Sequence, residues 1–230
     1  MLIGVRKESI ISTNTNVWDK VAKDFGKHGP DYWAWFGKKL VEHSDLKLGQ
    51  KVLDIGCGRG ASLFPAVNEI GLDGSATGLD TSEMMIRHTQ EEVDELGLSN
   101  IRLVCSDLEN FNSEENSFDY IQCGFGLGFI HINKNYRLIH KLLKTDGVFA
   151  LTSWTQQEDQ DWITGLVNKY LNIETKEKKI SPLSTEKGII EILESEGFKD
   201  IKIKTLSKYF AFNTDVLSAQ EPLWTEALYY

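Results

Sequence analysis

The feature that most constrains this chain is the nine-residue stretch Val52 to Gly60, in which an apolar run leads directly into three glycines at alternate positions. Its sequence, Val-Leu-Asp-Ile-Gly-Cys-Gly-Arg-Gly, is typical of a buried strand followed by a tight turn that opens a helix. Because glycine has no Cβ, a ligand can lie directly against the backbone of such a turn. The motif therefore predicts a site for a nucleoside-bearing cofactor.

An acidic residue just before the turn narrows the class of cofactor. Asp54 would repel the pyrophosphate of a dinucleotide, whereas it would attract an ammonium or a sulfonium. This charge preference points to S-adenosylmethionine. An NAD-dependent oxidoreductase is an alternative that Asp54 disfavours, since three glycines alone also fit a dinucleotide site.

Composition sets the broad class of protein. The chain has 230 residues, of which 41% are hydrophobic, so it can bury one substantial core. A net charge of −9 argues against nucleic acid as the main partner. No apolar run reaches the length of a membrane span, and the first residues lack the order of a signal peptide, so we expect a cytoplasmic protein.

The three cysteines are an odd number without the spacing of a metal site. Cys57, Cys105 and Cys123 each lie in or beside a predicted buried strand. Free cysteine behaves there as a small hydrophobic residue. We therefore expect neither a disulfide nor a bound metal.

From residue 51 onward, strand-like and helix-like segments alternate. The predicted strands are 51–55, 76–80, 101–107, 118–124 and 147–154, and the predicted helices lie near 60–70, 82–96 and 134–143. Such alternation is typical of a parallel sheet covered on both faces. Two later β-rich runs, 201–206 and 208–212, are close enough for a hairpin.

This pattern predicts an α/β, Rossmann-like, doubly wound fold. We expect seven strands, mostly parallel with an antiparallel last strand, and helices at the N-terminus that cover the site. The segment 17–43 is helical in pattern, rich in aromatic residues and divided at Gly29-Pro30. We divide the chain into an N-terminal helical lid (1–45), a cofactor-binding core (46–155), a substrate-side insert (156–182) and a C-terminal completion of the sheet (183–230).

Ligands of open α/β sheets bind beyond the carboxyl ends of the strands, so the residues there are candidate site residues. The second strand ends at Asp80, 26 positions after Asp54, where a carboxylate can accept both ribose hydroxyls. The third ends at Ser106-Asp107-Leu108, where an adenine edge would lie. The fourth ends at Gln122-Cys123-Gly124 and leaves room for the reactive end of the ligand. Asp80 and Asp107 each have the alternative of being an ordinary solvated loop residue.

These strand ends together resemble the class I S-adenosylmethionine-dependent methyltransferases, over about Trp18 to Ser153. The segment 78–85 is similar to the second motif of that family, in which the acid binds the ribose and the later methionine packs on the adenosine. The resemblance implies a set of cofactor-binding residues: Asp54, Gly56, Cys57, Gly58, Asp80, Thr81, Met85, Ser106, Asp107, Leu108 and Cys123.

Within the superfamily, the segment 117–127 resembles the ubiquinone and menaquinone C-methyltransferase branch, which carries Phe-Gly-Leu at the position of Phe125-Gly126-Leu127. That branch continues with Arg-Asn where this chain has Gly128-Phe129. It also has Pro-Gly-Gly before the fifth strand, where this chain has Thr145-Asp146-Gly147. The resemblance implies a small-molecule acceptor and leaves its identity open.

Methyl transfer requires a nucleophile placed close to the methyl group, and a base is needed only for some acceptors. His131, in the glycine-rich loop after the fourth strand, is the candidate base, and its alternative role is to cap the next helix. Aromatic residues of the N-terminal segment and of this loop are candidates for the acceptor pocket, or for ordinary core: Trp18, Phe25, Trp33, Phe36, Phe125 and Phe129.

The sequence thus predicts methyl transfer to O, N or C of a small, aromatic or polyketide-like acceptor, by a monomer or homodimer. One alternative keeps the fold and the cofactor but catalyses a cyclisation or another non-methylating reaction. Another is a partner-binding subunit that retained the fold.

Overall fold

The computed structural model describes residues 17–27, 31–126, 132–155, 164–166, 168–170, 181–209 and 223–229. The strands are β1 (Lys51–Ile55), β2 (Ser75–Asp80), β3 (Ile101–Cys105), β4 (Phe118–Gly124), β5 (Leu143–Trp154), β6 (Ile203–Tyr209) and β7 (Leu223–Tyr229). The helices are α1 (Tyr32–Glu42), α2 (Leu63–Ile70), α3 (Glu83–Glu95), α4 (Ile132–Leu142) and α5 (Glu186–Ser195). Short helical stretches lie at 17–21, 164–166 and 168–170.

The described strands form one sheet in the order β3-β2-β1-β4-β5-β7-β6. Strands β1 to β5 pair in parallel, and β7 runs antiparallel to both β5 and β6. The predicted α/β architecture with a mostly parallel sheet is confirmed. From β1 the chain first adds strands on one side of the sheet, β2 and β3, and then crosses to the other side to add β4. Ligands of such sheets bind at the point between β1 and β4 where the direction changes.

Both faces of the central strand β1 are buried, as is usual where helices cover a parallel sheet on both sides. Val52 of β1 packs in one cluster with Leu40 of α1 and Ala66 of α2. Its neighbour Leu53 packs in the opposite cluster with Ile139 of α4. The near-continuous apolar sequence of β1 therefore reflects burial on two sides, and α1 forms part of the core.

Local signals set the helix starts. The hydroxyl of Ser82 accepts the backbone N–H of Met85 at 3.1 Å and caps α3. Thr185 caps α5 in the same way through the N–H of Gly188. The helix α2 begins at Leu63 rather than near residue 60, because Gly60 still belongs to the turn, with φ +79°.

Three predictions about the sheet are corrected. The runs 201–206 and 208–212 do not form a hairpin, because 203–209 is one strand that pairs along its whole length with β7. Strand β5 begins at Leu143, which pairs with Phe118 across a register shift. Strand β3 ends at Cys105, whose side chain is exposed, since β3 is an edge strand.

Cys57 and Cys123 are buried, as expected. Among the described residues, no helix is long and apolar enough to cross a membrane. The same residues include no group of three or more His, Cys, Asp or Glu side chains arranged to hold a metal ion.

Candidate cofactor and acceptor site

The glycine turn lies between β1 and α2, at the reversal of strand order. Gly56, Gly58 and Gly60 have φ of +70°, +49° and +79°, a region that residues with a side chain rarely adopt. The N–H groups of Gly56 and Cys57 donate to the carbonyl of Leu79 at 2.7 and 3.0 Å, which ties the turn to β2. A Cβ built on Gly58 would meet no atom within 4 Å. The backbone of Gly58 is therefore open to a ligand.

Asp54 is fully buried beneath this turn, next to Gln122 of β4, its partner in the strand register. One carboxylate oxygen, Oδ2, accepts hydrogen bonds from Ser62 Oγ at 2.8 Å and from Gln122 Nε2 at 3.0 Å. The other, Oδ1, has no hydrogen-bond partner among the described residues, and neither has Oε1 of Gln122. No motif in the sequence indicates these contacts of Ser62 and Gln122, because both depend on the fold.

Burial dominates the electrostatics of Asp54 and raises its pKa from 3.8 to about 7. The hydrogen bonds from Ser62 and Gln122 lower the pKa, and the nearby charge of Asp80 raises it. A buried carboxylate with a free acceptor gains most from a cationic donor, because the donor satisfies the oxygen and offsets its charge. The local chemistry therefore fits an ammonium.

Asp80 ends β2 beside the glycine turn. Its Oδ2 accepts the N–H of Gly58 and its Oδ1 accepts the N–H of Ser82, both at 2.9 Å. Burial raises its pKa, while these backbone donors lower it. Each carboxylate oxygen has a second lone pair, so Asp80 can also accept hydroxyl donors. After it, Thr81 is exposed and Met85 is buried.

The end of β3 lies next to Asp80, since the N–H of Ser106 donates to the carbonyl of Asp80 at 2.9 Å. The carboxylate of Asp107 accepts three hydrogen bonds from Asn110. The backbone N–H and the side-chain amide both donate to Oδ1 at 2.8 Å, and the amide also donates to Oδ2 at 3.0 Å. Leu108 is buried in the core. Ser106 and Asp107 therefore lie at the rim of the site, while the side chain of Leu108 faces the core, and their binding of adenine stays a prediction.

The end of β4 is lined with small groups. A Cβ on Gly126 would lie 3.9 Å from Cα of Gly56, so the loop after β4 packs closely on the glycine turn. A Cβ on Gly124 would meet Ser62 Oγ at 3.5 Å.

Cys123 and Cys57 are buried, and burial raises the pKa of the Cys57 thiol well above its usual value. Cys57 is therefore a neutral thiol and not a nucleophile.

A cluster of aromatic rings begins at Phe125, directly after β4. Phe125 has a left-handed φ of +57°, and its N–H donates to Thr152 Oγ1 at 2.9 Å. This conformation stacks its ring on Trp154, with centroids 4.3 Å apart and an angle of 26°. The ring of Trp33 meets Phe125 edge-on at 5.5 Å, and Phe36 does so at 5.9 Å. Phe36 is fully buried and so belongs to the core.

The cluster continues into the N-terminal segment. Trp33 stacks on Phe25 at 5.4 Å, and Phe25 contacts Trp18 at 5.8 Å. These three rings line a groove with a volume of about 390 Å³, together with Val17, Val21, Gly26 and Tyr32. We refer to it as the aromatic groove. Several residues predicted for the acceptor pocket are thus brought together. Tyr32 and Trp154 were not among them, although Trp154 ends the strand next to β4.

Three hydrogen bonds join the N-terminal segment to the predicted cofactor site. Asp19 Oδ1 accepts hydrogen bonds from Ser82 Oγ at 2.6 Å and from the N–H of Met84 at 3.2 Å. Arg59, in the glycine turn, donates to the carbonyl of Ala22 at 2.9 Å instead of pointing into solvent. The aromatic groove is therefore held beside the turn. Phe129 and His131 lie outside the described residues.

S-adenosylmethionine matches the groups that these residues offer. Its ammonium matches Oδ1 of Asp54, the only oxygen of that carboxylate without a partner among the described residues. The carboxylate of Asp80 can accept hydrogen bonds from its ribose hydroxyls, and the open backbone at Gly58 leaves room for its adenosyl group. The residues present therefore fit this cofactor.

Comparisons with known proteins support the same assignment. A family model described as a methyltransferase domain matches residues 46–211. The aklanonic acid methyltransferase of Streptomyces sp. (strain C5) is 35% identical over 116 residues, which are 50% of this chain and 53% of that protein. A demethylmenaquinone methyltransferase of Listeria monocytogenes is 30% identical over 156 residues, 63% of this chain and 66% of that protein. This chain thus covers less than two thirds of either relative.

The fold agrees with solved structures as well. A crystal structure of a SAM-dependent methyltransferase from Aquifex aeolicus superimposes with a TM-score of 0.61 at 20% identity. The match covers 92% of this chain and 96% of that one. The methyltransferase fold predicted from the strand ends is confirmed. The chain belongs to the methyltransferase domain family of S-adenosylmethionine-dependent enzymes.

Proposed function

We propose that this protein transfers a methyl group from S-adenosylmethionine to O, N or C of a small, flat and apolar acceptor. The observation that carries the proposal is the row of rings from Trp18 through Phe25 and Trp33 to Phe125, which runs from an open groove to the loop that packs on Gly56. Flat apolar molecules bind well between aromatic rings. The names of the two relatives, for aklanonic acid and demethylmenaquinone, support a small-molecule acceptor.

The residues around the turn have separate roles in holding the cofactor, which supplies an electrophilic methyl group on a sulfonium when bound. Asp54 receives the ammonium and Asp80 the ribose hydroxyls. The backbone at Gly58 lets the adenosyl part lie close to the chain. Because Asp54 is hydrogen-bonded to Ser62 and Gln122, and Asp80 is hydrogen-bonded to Gly58, both acids are held in place before the ligand binds.

The aromatic residues orient the acceptor and exclude water. Fixing two reactants in a productive orientation can supply about 7–11 kcal/mol of barrier reduction, so positioning is a major part of the catalysis we propose. Stacked rings at Phe125 and Trp154 form one rigid wall, and Trp33 meets both of them edge-on. Aromatic faces also stabilise a nearby cation by about 0.5–2 kcal/mol.

The experiment that tests this function is turnover with a panel of flat acceptors. Aklanonic acid, a naphthoquinol and simple phenols would be incubated with the protein and S-adenosylmethionine, and release of S-adenosylhomocysteine would be measured together with the mass gain of the acceptor. We expect release that depends on the acceptor. Conversion of an acceptor without that release would instead support the cyclisation alternative.

Matched variants of α1 localise the acceptor. Trp33→Leu should raise the KM for the acceptor while the affinity for S-adenosylhomocysteine stays unchanged. Trp35→Leu is the control, because Trp35 lies on the same helix but contacts Phe36 and Lys208 instead of the groove. Equal effects of the two changes on KM would contradict an acceptor site in the aromatic groove.

A further inference from the structure

Gln122 presents a buried polar group that the cofactor assignment leaves unexplained. Its side chain is fully buried in the middle of the sheet, where apolar residues are the rule. Its amide nitrogen donates to Asp54 Oδ2, but its Oε1 has no partner among the described residues. A buried amide oxygen without a hydrogen bond is costly, and its presence calls for a donor.

The orientation of the amide follows from the chemistry of its neighbour. When Asp54 is ionised, as it is beside a cationic ligand, its carboxylate only accepts hydrogen bonds, so the nitrogen of Gln122 faces it, as the 3.0 Å contact to Oδ2 shows. Oε1 shares its carbon with that nitrogen and therefore lies close to the carboxylate. Asp54 and Gln122 are paired in the parallel register of β1 and β4, which places both side chains on the same face of the sheet. Two acceptors without partners among the described residues, Asp54 Oδ1 and Gln122 Oε1, thus belong to one hydrogen-bonded unit.

An ammonium is the group that satisfies both acceptors at once, because it has three N–H donors and a positive charge. A hydroxyl would satisfy only one of them with its single proton. A second carboxylate in place of Gln122 would double the buried negative charge, whereas a neutral amide adds an acceptor without that cost.

We propose that Gln122 is a specificity residue whose Oε1 accepts an N–H of the ligand's ammonium alongside Asp54. The inference rests on the proposed function and adds to it a requirement for the ligand's amino group. Apolar residues at this position would leave the site able to bind the adenosyl part but less able to select the amine.

The test compares two ligands, S-adenosylhomocysteine and its analogue that lacks the α-amino group, by titration calorimetry. The variant is Gln122→Met, which keeps the length of the side chain and removes both polar atoms. We expect about a tenfold to hundredfold loss of affinity for S-adenosylhomocysteine. Affinity for the deaminated analogue should be unchanged. A role confined to folding would weaken both ligands equally, and that result would overturn the proposal.

Tyr120→Phe is the matched control, since Tyr120 is buried on the same strand, two residues earlier. It should leave both affinities unchanged. If Gln122→Met does not fold, Gln122→Leu is measured in the same way. Failure of the wild-type protein to bind either ligand would refute the cofactor assignment itself. Normal binding by wild type together with an unchanged ligand preference in the variant would refute only the role of Gln122.

Discussion

Removing the charge of Asp54 should stabilise the ligand-free protein and should lower the affinity of the protein for S-adenosylhomocysteine. Burial raises the pKa of Asp54 from 3.8 to about 7, so the folded protein retains a proton that the unfolded chain releases. A raised pKa of an acid means that stability is lost as the pH rises from about 4 to about 7. In Asp54→Asn, a carbonyl oxygen can still accept from Ser62 and Gln122, so the shape of the site is kept.

The magnitude follows from the difference in pKa. About 3 units at 1.36 kcal/mol each correspond to about 4 kcal/mol at pH 8, which sets the largest gain expected for the variant. Between pH 6 and pH 8 the ionisation of Asp54 costs the wild-type protein about 1.4 kcal/mol of that total, because the folded group titrates near pH 7. The gap in stability between variant and wild type should widen by this amount.

Guanidinium unfolding at pH 6 and pH 8 measures this gap, both values lying above the sequence pI of about 5.1. Addition of S-adenosylhomocysteine at 100 times its Kd should stabilise wild type by about 2.7 kcal/mol and the variant by much less. Asp146→Asn is the control, because it removes an exposed carboxylate. A variant less stable than wild type at pH 8, or a gap that does not change with pH, would refute the reasoning.

Three further substitutions test the site, and a fourth, Gly97→Ala, is a control. Gly58→Ala and Gly97→Ala should each lower the free energy of unfolding by about 1–3 kcal/mol, because both glycines have a positive φ and open space at Cβ. Only Gly58→Ala should weaken the binding of S-adenosylhomocysteine, as measured by calorimetry. Asp80→Ala should lower that affinity about tenfold to a hundredfold, and an unchanged affinity would show that the ribose lies elsewhere. His131→Ala should reduce kcat about 10²- to 10⁴-fold without changing this affinity, and unaltered turnover would dismiss His131 as the base.

The core of the fold was predictable because one motif fixes several elements at once. The glycine turn identifies β1 and the presence of a helix after it, and the regular alternation that follows is typical of a covered parallel sheet. Asp54 and Asp80 follow from the rule that ligands bind at the carboxyl ends of strands, and both are bonded to groups at the turn. These features depend on residues that are close together in the sequence, so they can be predicted from one sequence alone.

Features that depend on distant contacts were not predictable in this way. The break in the apolar pattern near Ser207 is typical of a turn, yet the strand continues because β7 pairs with it from Ile203 to Tyr209. Asp19 contacts Ser82 across 63 positions, and nothing in its own neighbourhood indicates that contact. Gln122 is unremarkable in the sequence, because the role proposed for it depends on its being the register partner of Asp54.

A crystal structure of the protein with S-adenosylhomocysteine tests the central assignment most directly. We expect the adenosyl group to lie against the backbone of Gly58 and the ribose hydroxyls to donate hydrogen bonds to Asp80. The amino group should lie within hydrogen-bond distance of Asp54 Oδ1. Density for the ligand at another place, or an amino group directed away from Asp54, would contradict the assignment.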